Sequence, residues 1–241
     1  MNLPDLALQI VYGRLAWALV IAAVLLAVLP MLLRRFLPAV ASDVPRRTQA
    51  LVVAVSVVLM ALPGEASPAY WLALVFQYPS GLLLGYSLVS LYGRWHGEPV
   101  RFAMPAGFAL VLAVVGVAMY LEAFGLLSLG LYYGGFGATT APLLACTIAA
   151  VSAVAVISGR ARGASGALLI GVLLFSLFRL PTGNLWDALF DPLIWSWAMA
   201  SAIAAAQRMA AARKAARQPA QAEPGLEPVA DLEPAHASGI E

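Results

Sequence analysis

Cysteine, lysine and histidine are nearly missing from this chain: Cys146 and Lys214 stand alone, and His96 and His236 are its two histidines. A lone cysteine inside an apolar run forms no intrachain disulfide and no cysteine-cluster metal site. Lys214 falls in a polar tail, so the apolar runs offer no amine for a retinal Schiff base. The histidines fall in a connection and in the tail, which excludes a histidine pair ligating haem within an apolar run. No glycine-rich phosphate loop followed by lysine occurs, and no basic domain supports binding to nucleic acid. No cofactor or metal is implied. Charge of either sign is scarce as well, at 11% of residues.

What the chain has in excess is apolar surface, with 62% hydrophobic residues and a mean hydropathy of +0.88. A helix rises about 1.5 Å per residue and a bilayer core is roughly 30 Å thick, so about 20 apolar residues span it. Seven stretches qualify as candidates: Leu15 to Leu33, Thr48 to Leu62, Tyr70 to Tyr92, Phe102 to Tyr120, Ala141 to Ser158, Ala164 to Phe178 and Leu185 to Ala206. None alternates polar and apolar residues as a barrel strand would. The expected class is an all-α, polytopic membrane protein of seven transmembrane helices, with the lipid bilayer as its principal partner.

Arginine and lysine translocate poorly and mark the cytoplasmic side. One set of connections holds Arg34, Arg35, Arg46 and Arg47, then Arg94 and Arg101, then Arg160 and Arg162, and the tail adds Arg208, Arg213, Lys214 and Arg217. Of the 14 basic residues this leaves Arg14 and Arg179 for the other side. The expected orientation puts the N-terminus outside an inner (plasma) membrane and the C-terminus in the cytoplasm. Ala39-Val40-Ala41 has the form of a signal-peptidase site, but it follows Arg34 and Arg35 at the wrong end of the apolar run, so Leu15 to Leu33 is expected to be a retained span.

Three regions result: an interfacial segment at 1–13, a transmembrane domain at 14–207 and a cytoplasmic tail at 208–241. In the tail, Arg208 to Arg217 is expected to prolong the last helix, and the Pro- and Glu-rich remainder cannot bury a core. An internal similarity runs through the domain. Leu62-Pro63 precedes Trp71-Leu72-Ala73-Leu74 and Pro79, as Leu180-Pro181 precedes Trp186-Asp187-Ala188-Leu189 and Pro192. The two copies read as parallel three-helix repeats joined by the fourth span. Pro79 and Pro192 each remove a backbone donor at matching positions, either shaping a cavity or merely tolerated in a membrane helix.

The acidic residues outside the tail include Glu65, Glu122, Asp187 and Asp191, each near the outer end of a span. Asp187 and Asp191 are four apart and share a helix face, with Asp191 one to two turns inside the seventh span. A carboxylate at that depth faces a cavity or a partner. Two roles stay open: a pairing with Arg179 that fixes the last hairpin, or a proton- or cation-responsive site. The uncharged stretch Gly130 to Gly137 reads as an aromatic-anchored turn or as a re-entrant lid. Trp71, Trp186, Trp195 and Trp197 read as belt and packing residues.

Gly163-Ala164-Ser165-Gly166 resembles the serine motif of rhomboid intramembrane proteases, but no histidine stands where a general base is required. It reads instead as small-residue packing, as does Gly81-x-x-x-Gly85. The arrangement of three, one and three spans is similar to that of SWEET-type sugar carriers; their Pro-Gln motifs are missing, so the resemblance implies topology alone. The first half, with Pro30, Pro63 and a glycine-rich third span, also resembles the FliR-like subunit of export gates, without the polar loops expected after it. The leading expectation is a carrier or channel for a small solute, with Asp191, Asp187 and Arg179 as its charged groups, Glu122 nearby, and Pro79 and Pro192 shaping the cavity. The alternative is a non-catalytic subunit or scaffold of a larger inner-membrane assembly, and either can include homo-oligomers or other membrane subunits.

Overall fold

The computed structural model describes residues 3–36, 44–98, 104–159 and 162–217. It is all-helical, with 80% helix and no strands among the described residues. Among the described residues ten α-helices follow one another: α1 (Leu6–Phe36), α2 (Arg46–Ala61), α3 (Pro68–Phe76), α4 (Gly81–Trp95), α5 (Ala106–Ala123), α6 (Leu131–Gly134), α7 (Thr140–Ile157), α8 (Arg162–Phe178), α9 (Leu185–Leu189) and α10 (Pro192–Arg217). Ala39-Val40-Ala41, Arg101, Arg160 and the tail beyond Arg217 lie outside the described residues.

Among the described residues three segments are long and apolar enough to cross a membrane: Leu6–Pro30 of α1, then α5 and α7. The first helix starts at Leu6 rather than Leu15, because Asp5 accepts the Leu8 amide at 2.8 Å and so caps it. α5 and α7 expose Leu110, Val111, Val114, Leu143, Val151, Val154 and Ile157. A helix that is apolar all round yet open on its flanks fits a lipid environment.

Two of the seven expected stretches are not continuous helices. Tyr70 to Tyr92 is divided between α3 and α4, and Leu185 to Ala206 between α9 and α10. Proline is the cause in both, since it offers no amide and its ring crowds the carbonyl four residues back. The two regions also share their construction. In each, a short helix is capped by a side chain, Ser67 Oγ accepting from Ala69 N at 3.2 Å and Asn184 Oδ1 from Trp186 N at 2.9 Å. A break at the proline follows, and then a longer helix begins.

The core of the first compact unit, Met1–Ala204, gathers Trp17, Leu82, Phe175, Leu185 and Ile194. Its closest packing is between α4 and α8. A Cβ on Gly85 would lie 2.4 Å from the Ala167 carbonyl oxygen, and one on Gly81 2.9 Å from that of Gly171. The Gly81-x-x-x-Gly85 face therefore meets Gly171 and Ala167 backbone to backbone, as small-residue faces do. Ser165 of the rhomboid-like tetrapeptide is buried in α8, and Gly163 and Gly166 face Val89 of α4, a packing role. The second unit begins at Ala205 and is, as far as described, the exposed, basic, alanine-rich end of α10. Arg208 to Arg217 is helical, as its composition led us to expect.

Candidate functional site

The two broken stretches meet at their breaks. α3 ends at Phe76, and Gln77 takes φ 56°, ψ −103°, a positive-φ conformation uncommon for residues other than glycine. Its carbonyl oxygen accepts from Trp17 Nε1 at 3.1 Å, which anchors the turn to α1. Pro79 is fully buried, and Ser80 then caps α4, its Oγ accepting from Leu83 N at 3.1 Å.

In the second stretch Phe190 ends α9, Asp191 precedes α10, and Pro192 takes the first helical position, where its missing amide is harmless. Asp191 Oδ1 accepts from Ile194 N at 2.7 Å, the bond of an N-cap. Its Oδ2 accepts from Ser80 N at 2.8 Å, across 111 residues of sequence. One carboxylate, 9% exposed, thus bridges the starts of two half-helices. Each helix start carries partial positive charge from its aligned peptides, which suits the ionised carboxylate. Asp191 therefore lies in the break of the seventh stretch, between α9 and α10, and not within a continuous helix.

A second polar cluster lies around α6 and α9. Glu122 accepts from Leu131 N and Tyr132 N, both at 3.1 Å. The Tyr132 hydroxyl donates to Asp187 at 3.1 Å from either oxygen, and Thr182 donates to the same carboxylate. Asn184, fully buried, donates from Nδ2 to the Tyr132 carbonyl at 3.1 Å, and Trp186 Nε1 donates to that of Leu131 at 2.8 Å. Leu185 N completes the seam on Gly135 O at 3.0 Å. Gly135 can only be glycine here, since a Cβ would sit 1.7 Å from Asn184 Oδ1. Burial, and then the Asp187 charge, push the Tyr132 hydroxyl above the usual tyrosine range. The Gly130 to Gly137 stretch is thus a docked turn held through its backbone.

The site residues separate into groups. Asp191, Pro79 and Pro192 come together at the crossing, while Asp187 and Glu122 brace the docked turn. Arg179, at φ 55°, ends α8 with its guanidinium carbon 5.2 Å from the Phe175 ring centroid. Asp191 accepts from two backbone amides, and Asp187 accepts from the Tyr132 and Thr182 hydroxyls. Sequence reasoning missed Ser80, Gln77, Thr182 and Asn184, and took Tyr132 only as part of the Gly130 to Gly137 stretch. A signal for Ser80 exists in Pro79-Ser80-Gly81, a breaker followed by a capping residue at the head of an apolar run. Among the described residues no three His, Cys, Asp or Glu side chains converge as a metal's ligands would. No protein-family model, characterised protein or solved structure matches the chain.

Proposed function

We propose that the chain is a seven-span inner-membrane carrier or channel for a small solute, N-terminus outside, working at the crossing of its two broken spans. In this reading α3 with α4, and α9 with α10, each make one span in two pieces, and α2 and α8 complete the count with α1, α5 and α7. The shared construction of the two broken regions supports parallel repeats. The observation that carries the reading is the Asp191 carboxylate, buried and bonded to amides that open two different half-helices. Interrupted helices at corresponding places in two halves are the pattern in which carriers place their central sites.

The chemistry follows from the carboxylate's acceptor capacity. Its two oxygens serve Ser80 and Ile194 together, so a cation that draws one oxygen away leaves one amide without its charge-assisted partner. The crossing is then free to open, which couples a competing cation to movement of the half-helices. Asp187, Tyr132 and Glu122 hold the neighbouring turn while this happens.

Solid-supported-membrane recordings on proteoliposomes test it, with sugars, amino acids, organic acids and amines applied in turn. Wild-type protein is expected to give a current with at least one class, and Asp191→Asn to reduce it by about tenfold or more, the cost of about 1.4 kcal/mol at the moving step. Asparagine keeps the cap on Ile194 N but sets a donor against Ser80 N, so the melting temperature of the variant is compared alongside its current. Undiminished current in Asp191→Asn would refute the role of that carboxylate. No current with any class, together with co-purification of a stoichiometric membrane partner, would make the chain a non-transporting subunit.

A further inference from the structure

Arginines gather where α2 begins and α4 ends, and one of them has a buried atom with nothing to bond. α2 opens on Arg46 and Arg47 after Pro45, which supplies no side-chain cap to the first amides. Gln49 ties the two helices, donating from Nε2 to the Val44 carbonyl at 2.8 Å and to that of Arg94 at 3.4 Å. Arg46 donates from Nε to the Trp95 carbonyl at 2.8 Å, and its guanidinium carbon stands 5.9 Å from the indole centroid. Arg94 Nε is buried without a hydrogen-bond partner. Tyr92 and Trp95 are exposed at 63% and 44%, and His96 lies against the Tyr92 ring at 4.1 Å. Glu98 is the acid of this turn, its amide bonded to Gly93 O.

Each feature favours an anion with several oxygens. Arg94 Nε is closed to solvent, so a phosphate would meet the outer guanidinium nitrogens of Arg94 and those of the exposed Arg46 and Arg47 with paired oxygens. Uncapped amides at a helix start favour negative charge as well. The exposed tyrosine and tryptophan are the side chains that suit the headgroup level of a bilayer. Because the cluster closes one end of apolar helices, the phosphate within reach is that of a lipid.

We infer that the junction of α2 and α4 binds the phosphate headgroup of an anionic phospholipid through Arg46, Arg47 and Arg94, with Trp95 and Tyr92 against its glycerol and upper chains. The site is independent of the crossing at Asp191 and holds whether or not the chain transports.

Native mass spectrometry of the full-length protein, titrated with phosphatidylglycerol, phosphatidylcholine and inorganic phosphate, tests the inference. Wild type is expected to prefer phosphatidylglycerol over phosphatidylcholine by about fivefold or more, the contribution of roughly one cationic side chain near an anionic surface. Arg46→Gln with Arg94→Gln is expected to abolish the preference, while Arg208→Gln with Arg213→Gln on α10 leaves it unchanged. Should the first pair fail to fold, Arg47→Gln, on an exposed side chain, is expected to lower the preference by about half or more. Equal binding of the two lipids by wild type overturns the inference, as does an unchanged preference in the folded junction variants. Millimolar inorganic phosphate that removes the preference would make this a free-phosphate site and overturn the lipid assignment.

Discussion

Tyr132 joins the two halves of its cluster, with its amide on Glu122, its carbonyl under Asn184 and its hydroxyl on Asp187. Burial and the Asp187 charge both favour the neutral phenol, so the folded protein binds this proton more tightly than the unfolded chain does. The sign follows: the contribution is fully present below the ordinary tyrosine value of about 10 and is lost as pH rises through the higher folded value. Tyr132→Phe is therefore expected to lower the melting temperature at pH 8 and to flatten its decline above about pH 10. Parallel melts of the two proteins check this, and equal slopes on the alkaline side would refute it. Tyr132 itself carried no signal in the sequence, because an interfacial tyrosine and a bridging one look alike until the turn is docked. Asp191 did carry one, as a carboxylate beside a proline in an apolar run. Its partner was hidden, since the Ser80 amide exists as a free donor only once Pro79 has ended the preceding helix.

At the scale of elements, the two proline-broken stretches show what apolar periodicity can and cannot say. The run from Tyr70 to Tyr92 is apolar enough for one span, and nothing in its hydropathy marks the break at Gln77 to Ser80. The proline marks it, but a proline is as compatible with a kink as with a full interruption. The interruption wins here because each new helix start has a cap waiting, Ser80 in one and Asp191 in the other. The glycine pair of α4 was legible as a close-packing face, although its partner could not be read, since any of the other helices supplies small residues. With α8 identified, the consequence is sharp. Gly85→Val would drive a branched side chain into the Ala167 carbonyl, while a methyl group on Gly107 would meet nothing within 4 Å. We expect Gly85→Val to destabilise the protein by about 1–3 kcal/mol or more through forced separation of α4 and α8. Gly107→Ala is expected to be neutral or slightly stabilising by helix propensity, by up to about 1 kcal/mol. Thermal unfolding in one detergent compares the two, and equal effects would refute the backbone contact.

For the molecule as a whole, the apolar flanks of α5 and α7 and the scarcity of charge fit an apolar surrounding, and the arginine distribution is what supports the proposed direction across it. Helices that are long and apolar were legible because hydropathy sums over many residues, whereas the sidedness rests on a few cations whose connections lie partly outside the described residues. The proposed orientation is consequently the reading most open to a decisive measurement. With Cys146 replaced by alanine, a cysteine at Glu98 falls in the connection after α4 and one at Ser128 in the connection after α5, both exposed and both free of positive φ. A membrane-impermeant maleimide applied to intact spheroplasts is expected to label Ser128→Cys and to spare Glu98→Cys until the membrane is opened. The contrast is large in energy terms, because carrying even one arginine across costs about 2.5–3.5 kcal/mol at the centre of a span. Labelling of Glu98→Cys in intact spheroplasts would invert the protein. The junction of Arg46, Arg94 and Trp95 would then face the outer leaflet, while the Asp191 crossing, whose bonds are internal to the helices, would be unaffected.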